Sequence, residues 1–153
     1  MLPLMQLTLA HIGSRAGSND SLEILVKTYL ERCSGFARCQ AEAFRSEEGL
    51  VEWVARQKGR TSPFMVLLDS RGRSMTSEAF AEWLGARRDG GTQHLVFAVG
   101  PASGWSEAAR REAGLLLSLG PMTLAHSLAR VVLAEQLYRA HTILSGHPYH
   151  TGH

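Results

Sequence analysis

The chain has 153 residues, 44% of them hydrophobic and 20% charged, which is enough apolar side chain for one core without disulfide or metal staples; the expectation is a single domain spanning 1–153. No apolar run reaches membrane-spanning length, and Met1-Leu2-Pro3-Leu4 lacks the basic flank and long apolar stretch of a signal peptide, so the expected compartment is the cytoplasm and no membrane partner is expected. A formal charge of +2 is far from that of a general nucleic-acid binder, so contact with a phosphate backbone has to come from local clusters: Lys58 with Arg60, Arg71 with Arg73, Arg87 with Arg88, Arg110 with Arg111. Cys33 and Cys39 match no zinc or redox-dithiol spacing and read as reduced, semi-buried thiols.

Leu4 to Ile12 is rich in strand formers, and Gly13 to Ser18 is a turn-rich loop. Asp20 followed by Glu23 has the spacing of a capping box and opens a helix in which Leu22, Leu25, Val26 and Tyr29 share a face. Arg38 to Phe44 alternates loosely as a second strand. Ser46 caps a helix carrying Leu50, Trp53 and Val54, and Gly59, Ser62 and Pro63 end that unit. Phe64 to Leu68 is a short, closely bounded apolar run and reads as a buried parallel strand, with a turn over Asp69 to Gly72. A helix near Glu78 to Arg88 closes at Asp89-Gly90-Gly91, and His94 to Val99 is another buried strand. After Gly100 to Gly104, Ser106-Glu107 begins a helix to about Ala113, and Leu115 to Leu119 is the last short strand. The alternation predicts an α/β domain built on a mostly parallel sheet flanked by helices.

The last third is the most distinctive. A helix from about His126 to Ser145 puts Leu128, Val131, Val132, Glu135, Tyr138 and Thr142 on one stripe and Leu133, Leu137, Ala140 and Leu144 on another. A helix apolar on nearly all sides needs cover on nearly all sides, so its own sheet supplies one partner and another helix or subunit the second. Glu135 and Arg139 stand one turn apart and can pair. Ligands of open α/β sheets lie beyond the carboxyl ends of the strands. Three loops are placed for that: after Leu68, from Gly100, and Leu119 to Leu124. Gly100, Gly104 and Gly120 permit close backbone approach, while Pro101 removes one backbone donor. No Lys-Ser/Thr pair makes any of them a phosphate-cradling P-loop. His147, His150 and His153 recur every third residue, but no cysteine or carboxylate accompanies them, and no metal site is expected.

Ser118-Leu119-Gly120-Pro121-Met122-Thr123-Leu124, the run Ala129 to Ala140, and His147-Pro148-Tyr149-His150 together resemble the C-terminal signature of the ribosomal RNA large subunit methyltransferase H family of the SPOUT class. The resemblance is densest from Ser118 to His150 and extends from Phe64 to Ser106. It implies a SPOUT-type α/β knot with a deep C-terminal trefoil knot, a homodimer formed through the terminal helix, and S-adenosylmethionine as cofactor. It also implies methylation of N3 of a pseudouridine in 23S rRNA, the family's position 1915, on the large subunit or assembled ribosome. Cofactor contacts carry over to Leu68, Gly100, Leu119, Gly120, Pro121, Met122, Thr123 and Leu124. His150, Tyr149 and Arg139 match the residues that would act on the substrate, with His150 the one whose ordinary pKa lies near neutrality. Two other readings stay open: a non-catalytic ribosome-binding or assembly factor that keeps the fold, and a SPOUT methyltransferase with another RNA target.

Overall fold

The computed structural model describes residues 4–14, 17, 19–57 and 61–151; Met1 to Pro3, half of the Gly13 to Ser18 turn (Arg15, Ala16, Ser18), the Lys58, Gly59 and Arg60 segment, Gly152 and His153 lie outside them. Five strands, β1 (Gln6–Ile12), β2 (Arg38–Phe44), β3 (Phe64–Ser74), β4 (His94–Val99) and β5 (Leu115–Ser118), form a sheet in the order β2-β1-β4-β3-β5. Every pairing among them is parallel. Helices α1 (Ser21–Cys33), α2 (Glu47–Arg56), α3 (Ser77–Asp89), α4 (Glu107–Glu112) and α5 (His126–Ser145) make the crossovers and the closing segment.

Strand periodicity sorts the core into two layers. From β4, Leu95, Phe97 and Val99 pack with Val26 and Leu30 of α1, Phe80 and Leu84 of α3, and Leu133 and Leu137 of α5. Val96 and Ala98 face the other way, onto Leu50 of α2 and Ala109 of α4. A central parallel strand covered on both faces is apolar along most of its length, which is why Leu95 to Val99 does not alternate. The second layer contains one polar chain across three strands. Gln40 Nε2 donates to Thr8 Oγ1 at 3.0 Å, and the Thr8 hydroxyl lies 2.8 Å from His94 Nε2. Burial lowers the His94 pKa, which suits a neutral ring accepting that bond.

Helix starts follow their side chains. Asp20, Ser46, Thr76 and Ser106 each accept hydrogen bonds from backbone N–H groups of the first turn. The capping box expected at Asp20 is only half formed, because Glu23 does not reach back. Its Oε2 accepts from Arg130 Nη1 of α5 at 2.6 Å instead. The buried seam of α1 is Val26, Leu30 and Cys33; Leu25, expected inside, is exposed, since the true seam is turned to meet α5.

On α5, the stripe carrying Leu133, Leu137 and Ala140 is buried. The other stripe is only half covered at Val131, Val132, Glu135 and Tyr138, and Leu128 is exposed; Thr142 is its buried exception. Glu135 and Arg139 pair as their spacing predicts, at 2.7 Å. Cys33 and Cys39 are both free thiols.

The third strand departs from expectation. It continues past Leu68 to Ser74, and Leu117 stands opposite both Leu68 and Arg73, so residues 69–72 bulge out of the ladder. Gly72 is essential to that course. A Cβ there would stand 2.6 Å from the carbonyl carbon and oxygen of Leu116. Leu119, expected to end β5, lies just beyond it.

Gly72→Ala drives a methyl group into the β5 backbone and lowers stability by about 1–3 kcal/mol; an unchanged urea midpoint would show that β3 and β5 are not this close. His141 is buried on α5 against the Phe36 ring, stacked at 5.3 Å, and burial lowers its pKa from 6.5 to about 4. The unfolded chain therefore takes the proton first as pH falls. Stability holds above pH 6.5 and declines between 6.5 and about 4, by on the order of 3 kcal/mol from this residue. Urea titrations across that window should show the decline, and His141→Leu should make it shallower; equal slopes in the two proteins would contradict it.

Candidate functional site

Beside the bulge of β3 and beyond the carboxyl ends of β4 and β5 lies a cleft of about 440 Å³. Three loops and the start of α5 build it. The first is the bulge after Leu68. Asp69, with a side chain 4% exposed, accepts from the Arg71 N–H at 2.9 Å and from Arg110 Nε at 2.6 Å. Arg110 also donates to Glu107 at 2.6 Å, so this basic residue is consumed in holding α4 against the bulge. Arg71 likewise leans on Asp69 and Glu107, Arg88 is bonded to Asp89, and Arg87 lies over the Phe64 ring.

The second loop runs from Gly100 to Trp105. Gly104, at φ 85°, closes a turn by donating its N–H to Pro101 O at 2.9 Å. Trp105 then folds under the loop, buried, and its indole Nε1 donates to the Leu68 carbonyl at 2.9 Å. A Cβ on Gly100 would lie 2.7 Å from that indole. The close approach that Gly100 permits is therefore to Trp105, which fastens the second loop to the first.

The third loop, Leu119 to Ala125, is shaped at Gly120. Its φ of 128° is open to glycine and strained for other residues, and the Ser118 hydroxyl bonds both its N–H and its carbonyl, each at 3.1 Å. A Cβ on Gly120 would meet nothing within 4 Å, so the glycine serves backbone conformation and leaves the space beside it clear. Met122 projects outward, 82% exposed. Helix α5 then starts without a side-chain cap at Ala125, unlike the other four helices.

Of the residues anticipated from sequence, Leu68, Gly100, Leu119, Gly120, Met122, Thr123 and Leu124 line the cleft; Pro121 does not. Asp69, Trp105, Arg110 and His126 line it too; the sequence reading places Asp69 in a turn and Arg110 in a basic cluster and assigns none of the four to the cleft. A tryptophan directly after Gly104 and before the helix-capping Ser106 was the available signal for Trp105. His126 stands edge-on to His11 at 5.6 Å. Burial lowers the pKa of both, with Arg130 lowering each further, and His126 Nε2 has no hydrogen-bond partner among the described residues.

Arg139, Tyr149 and His150 gather elsewhere. Gly146, at φ 74°, ends α5, and the tail turns back along the helix. The Tyr149 ring packs on Tyr138 with centroids 4.7 Å apart, under the Arg139 guanidinium. Tyr149 OH donates to Glu135 Oε1 at 3.1 Å, and burial, helped by that carboxylate, pushes the phenol up to about 12. Arg139 donates to Glu135 at 2.8 Å, which raises its own pKa, and its Nη1 reaches His150 Nδ1 at 2.9 Å. His150 Nε2 in turn lies 2.6 Å from Glu78 Oε1. None of these tail residues lines the cleft. Arg139 is thirteen residues along α5 from His126, about 20 Å of helix.

Two other cavities lack this combination. One of about 640 Å³ lies between α1 and the edge strand β2, walled by both charge signs (Glu23, Lys27, Glu42, Arg130) and by none of the three loops. A smaller one, about 260 Å³, backs onto Leu117 to Gly120 from the α3 side. Among the described residues no cluster of His, Cys, Asp or Glu could hold a metal ion, and no helix is long and apolar enough to cross a membrane.

A family model described as predicted SPOUT methyltransferase matches residues 5–150. The chain is 46% identical over 149 residues to ribosomal RNA large subunit methyltransferase H of Koribacter versatilis (strain Ellin345), covering 97% of this chain and 100% of that relative. It is 42% identical over 140 residues to the protein of the same name from Rhizobium meliloti (strain 1021), covering 90% and 82%. Among solved structures, the SpoU methyltransferase AviRb from Streptomyces viridochromogenes, in complex with the cofactor AdoMet, superposes with a TM-score of 0.50 at 13% identity. That match covers 90% of this chain and 58% of the AviRb chain, and the likeness is one of fold. With its parallel sheet, its loop-built cleft and a match running from Met5 to His150, the chain belongs to the SPOUT methyltransferase family.

Proposed function

We propose that the protein transfers a methyl group from S-adenosylmethionine to 23S rRNA of the large ribosomal subunit, at N3 of a pseudouridine, in the cytoplasm and as a homodimer. The observation that carries this reading is the cleft. Its volume lies within the range of small-molecule sites, and it is bounded by apolar Leu117, Leu119 and Leu124 together with loop backbone. That division suits an uncharged adenine held between aliphatic side chains and read at its edge by N–H and C=O groups. The space beside Gly120, which a Cβ would enter, is left clear. The uncapped first turn of α5 supplies backbone N–H groups fit for a carboxylate, and the His126 ring lies on the same wall. When bound, S-adenosylmethionine supplies an electrophilic methyl group on a sulfonium.

The rest of the reaction falls to the chain. N3 of a pseudouridine carries a weakly acidic proton, so the site has to align the base and remove that proton. Alignment alone is worth up to roughly 7–11 kcal/mol in favourable systems. His150 is the proton acceptor in this reading, with Arg139 and Tyr149 orienting the base. Because Arg139 stands about 20 Å along α5 from His126 and none of the three lines the cleft, the site is completed by a second copy. Two α5 helices crossing antiparallel over their half-covered stripes would set the tail of one protomer against the cleft of the other, and would cover Leu128, Val131 and Val132 at the same time. The deep trefoil knot belongs to the same reading: after the edge strand β5 the chain returns across the sheet to lie against α1 and α3.

Calorimetric titration with S-adenosylmethionine and S-adenosylhomocysteine tests the assignment. Saturable binding is expected, and its absence in a folded dimer would turn the reading to a non-catalytic assembly factor. Gly120→Val forces a β-branched residue into a strained dihedral beside the cofactor space and should weaken binding by roughly tenfold or more; full affinity would show that the loop is not the cofactor's wall. Sedimentation at micromolar concentration should give twice the chain mass, and a monodisperse monomer would contradict the composite site.

A further inference from the structure

We infer that Glu78 is the positioning residue for His150, a role that rests on the reading of His150 as proton acceptor. Arginine carries only N–H donors, so the 2.9 Å contact from Arg139 Nη1 makes His150 Nδ1 an acceptor. The ring proton is thereby confined to Nε2, and Nε2 donates it to Glu78 Oε1 at 2.6 Å. That bond is the first reason the Glu78 carboxyl lies below the usual carboxylate range. Glu78 is itself fixed by its place in the first turn of α3, one residue after the helix begins at Ser77 and two after the Thr76 cap. The imidazole is therefore held between two elements, with its proton turned toward α3 and its basic nitrogen turned toward α5.

The arrangement gives each partner a separate task. Glu135 holds Arg139 through Nε at 2.8 Å and Nη2 at 2.7 Å, so the planar guanidinium keeps its place and its Nη1 can donate to a carbonyl oxygen of an entering base when the His150 ring pivots away about its Nε2–H bond to Glu78. Once the ring has pivoted off Nη1, Nδ1 is bare. The N3–H bond then breaks toward Nδ1, the N3 electron pair forms the new bond to the methyl carbon, and the electron pair of the sulfur–carbon bond leaves with sulfur. The resulting imidazolium is neutralised through Nε2–H by Glu78, the same division of labour that a carboxylate performs behind a catalytic histidine. An acidic residue in a first helical turn also favours the helix dipole, but that bland role requires no bond to His150. The two roles therefore predict different measurements.

Glu78→Ala, Glu78→Gln and His150→Ala are compared by methyl transfer to the ribosomal substrate, by S-adenosylmethionine titration, and by the 15N imidazole resonances of His150. His150→Ala should lower kcat by roughly 100-fold. Glu78→Ala should lower kcat about tenfold with KM and cofactor affinity unchanged, and should replace the Nε2–H tautomer by a mixture. Glu78→Gln, whose amide oxygen still accepts the N–H, should recover most of the rate. If Glu78→Ala keeps the parent kcat and tautomer while His150→Ala is inactive, the role of Glu78 is overturned and the acceptor reading stands. If His150→Ala itself keeps its kcat, the acceptor reading fails and the role of Glu78 fails with it.

Discussion

Leu133, Leu137 and Ala140 are buried between α1, α3 and the sheet, and this seam fixes α5 along its whole length. Each fully buried leucine contributes about 1.5–3 kcal/mol, so the helix can hold its position while its two ends are used for other purposes. Its first turn is left uncapped against the cleft, and its last turns carry Glu135, Tyr138 and Arg139, onto which the tail folds. Arg130, buried and paired to Glu23 of α1, adds specificity of register more than stability. A buried ion pair returns little net free energy, but breaking it by removing one partner is costly.

The cleft depends on a second, smaller constraint. Trp105 fills the notch that Gly100 leaves and holds the Leu68 carbonyl, while the Asp69–Arg110 pair ties the bulge to α4. Two loops from different strands are thus joined before any ligand arrives. The third loop is set by Gly120 and the Ser118 hydroxyl. Preorganisation of this kind spares a small ligand the cost of ordering its own walls.

Much of this was legible from residue order. The runs Phe64 to Leu68 and His94 to Val99 announced buried parallel strands because both faces had to be apolar, and His126 to Ser145 announced a helix with two seams. The loop residues Leu119 to Leu124 were legible only through family resemblance, since glycines after strands are common punctuation. Other features were hidden for physical reasons. The continuation of β3 to Ser74 depends on β5 accepting a bulge, and polar Asp69, Ser70 and Arg71 gave no strand signal. On α1 Val26 is buried as its face predicts and Leu25 is not, because the two are adjacent and only α5 decides which turns inward. The links from Glu23 to Arg130 and from Glu78 to His150 span 107 and 72 residues, beyond any local pattern.

The central claim is that the tail of one protomer serves the cleft of the other. Mixed dimers test it most directly, made by pairing a Gly120→Val chain with a His150→Ala chain through two affinity tags. Each parent homodimer lacks one half of every site. If the tail acts across the dimer, the mixed species contains one intact cleft facing one intact tail, and about half of the normal methyl-transfer activity returns. Activity no higher than that of either parent would contradict the account and place cleft and tail of the same chain in one site.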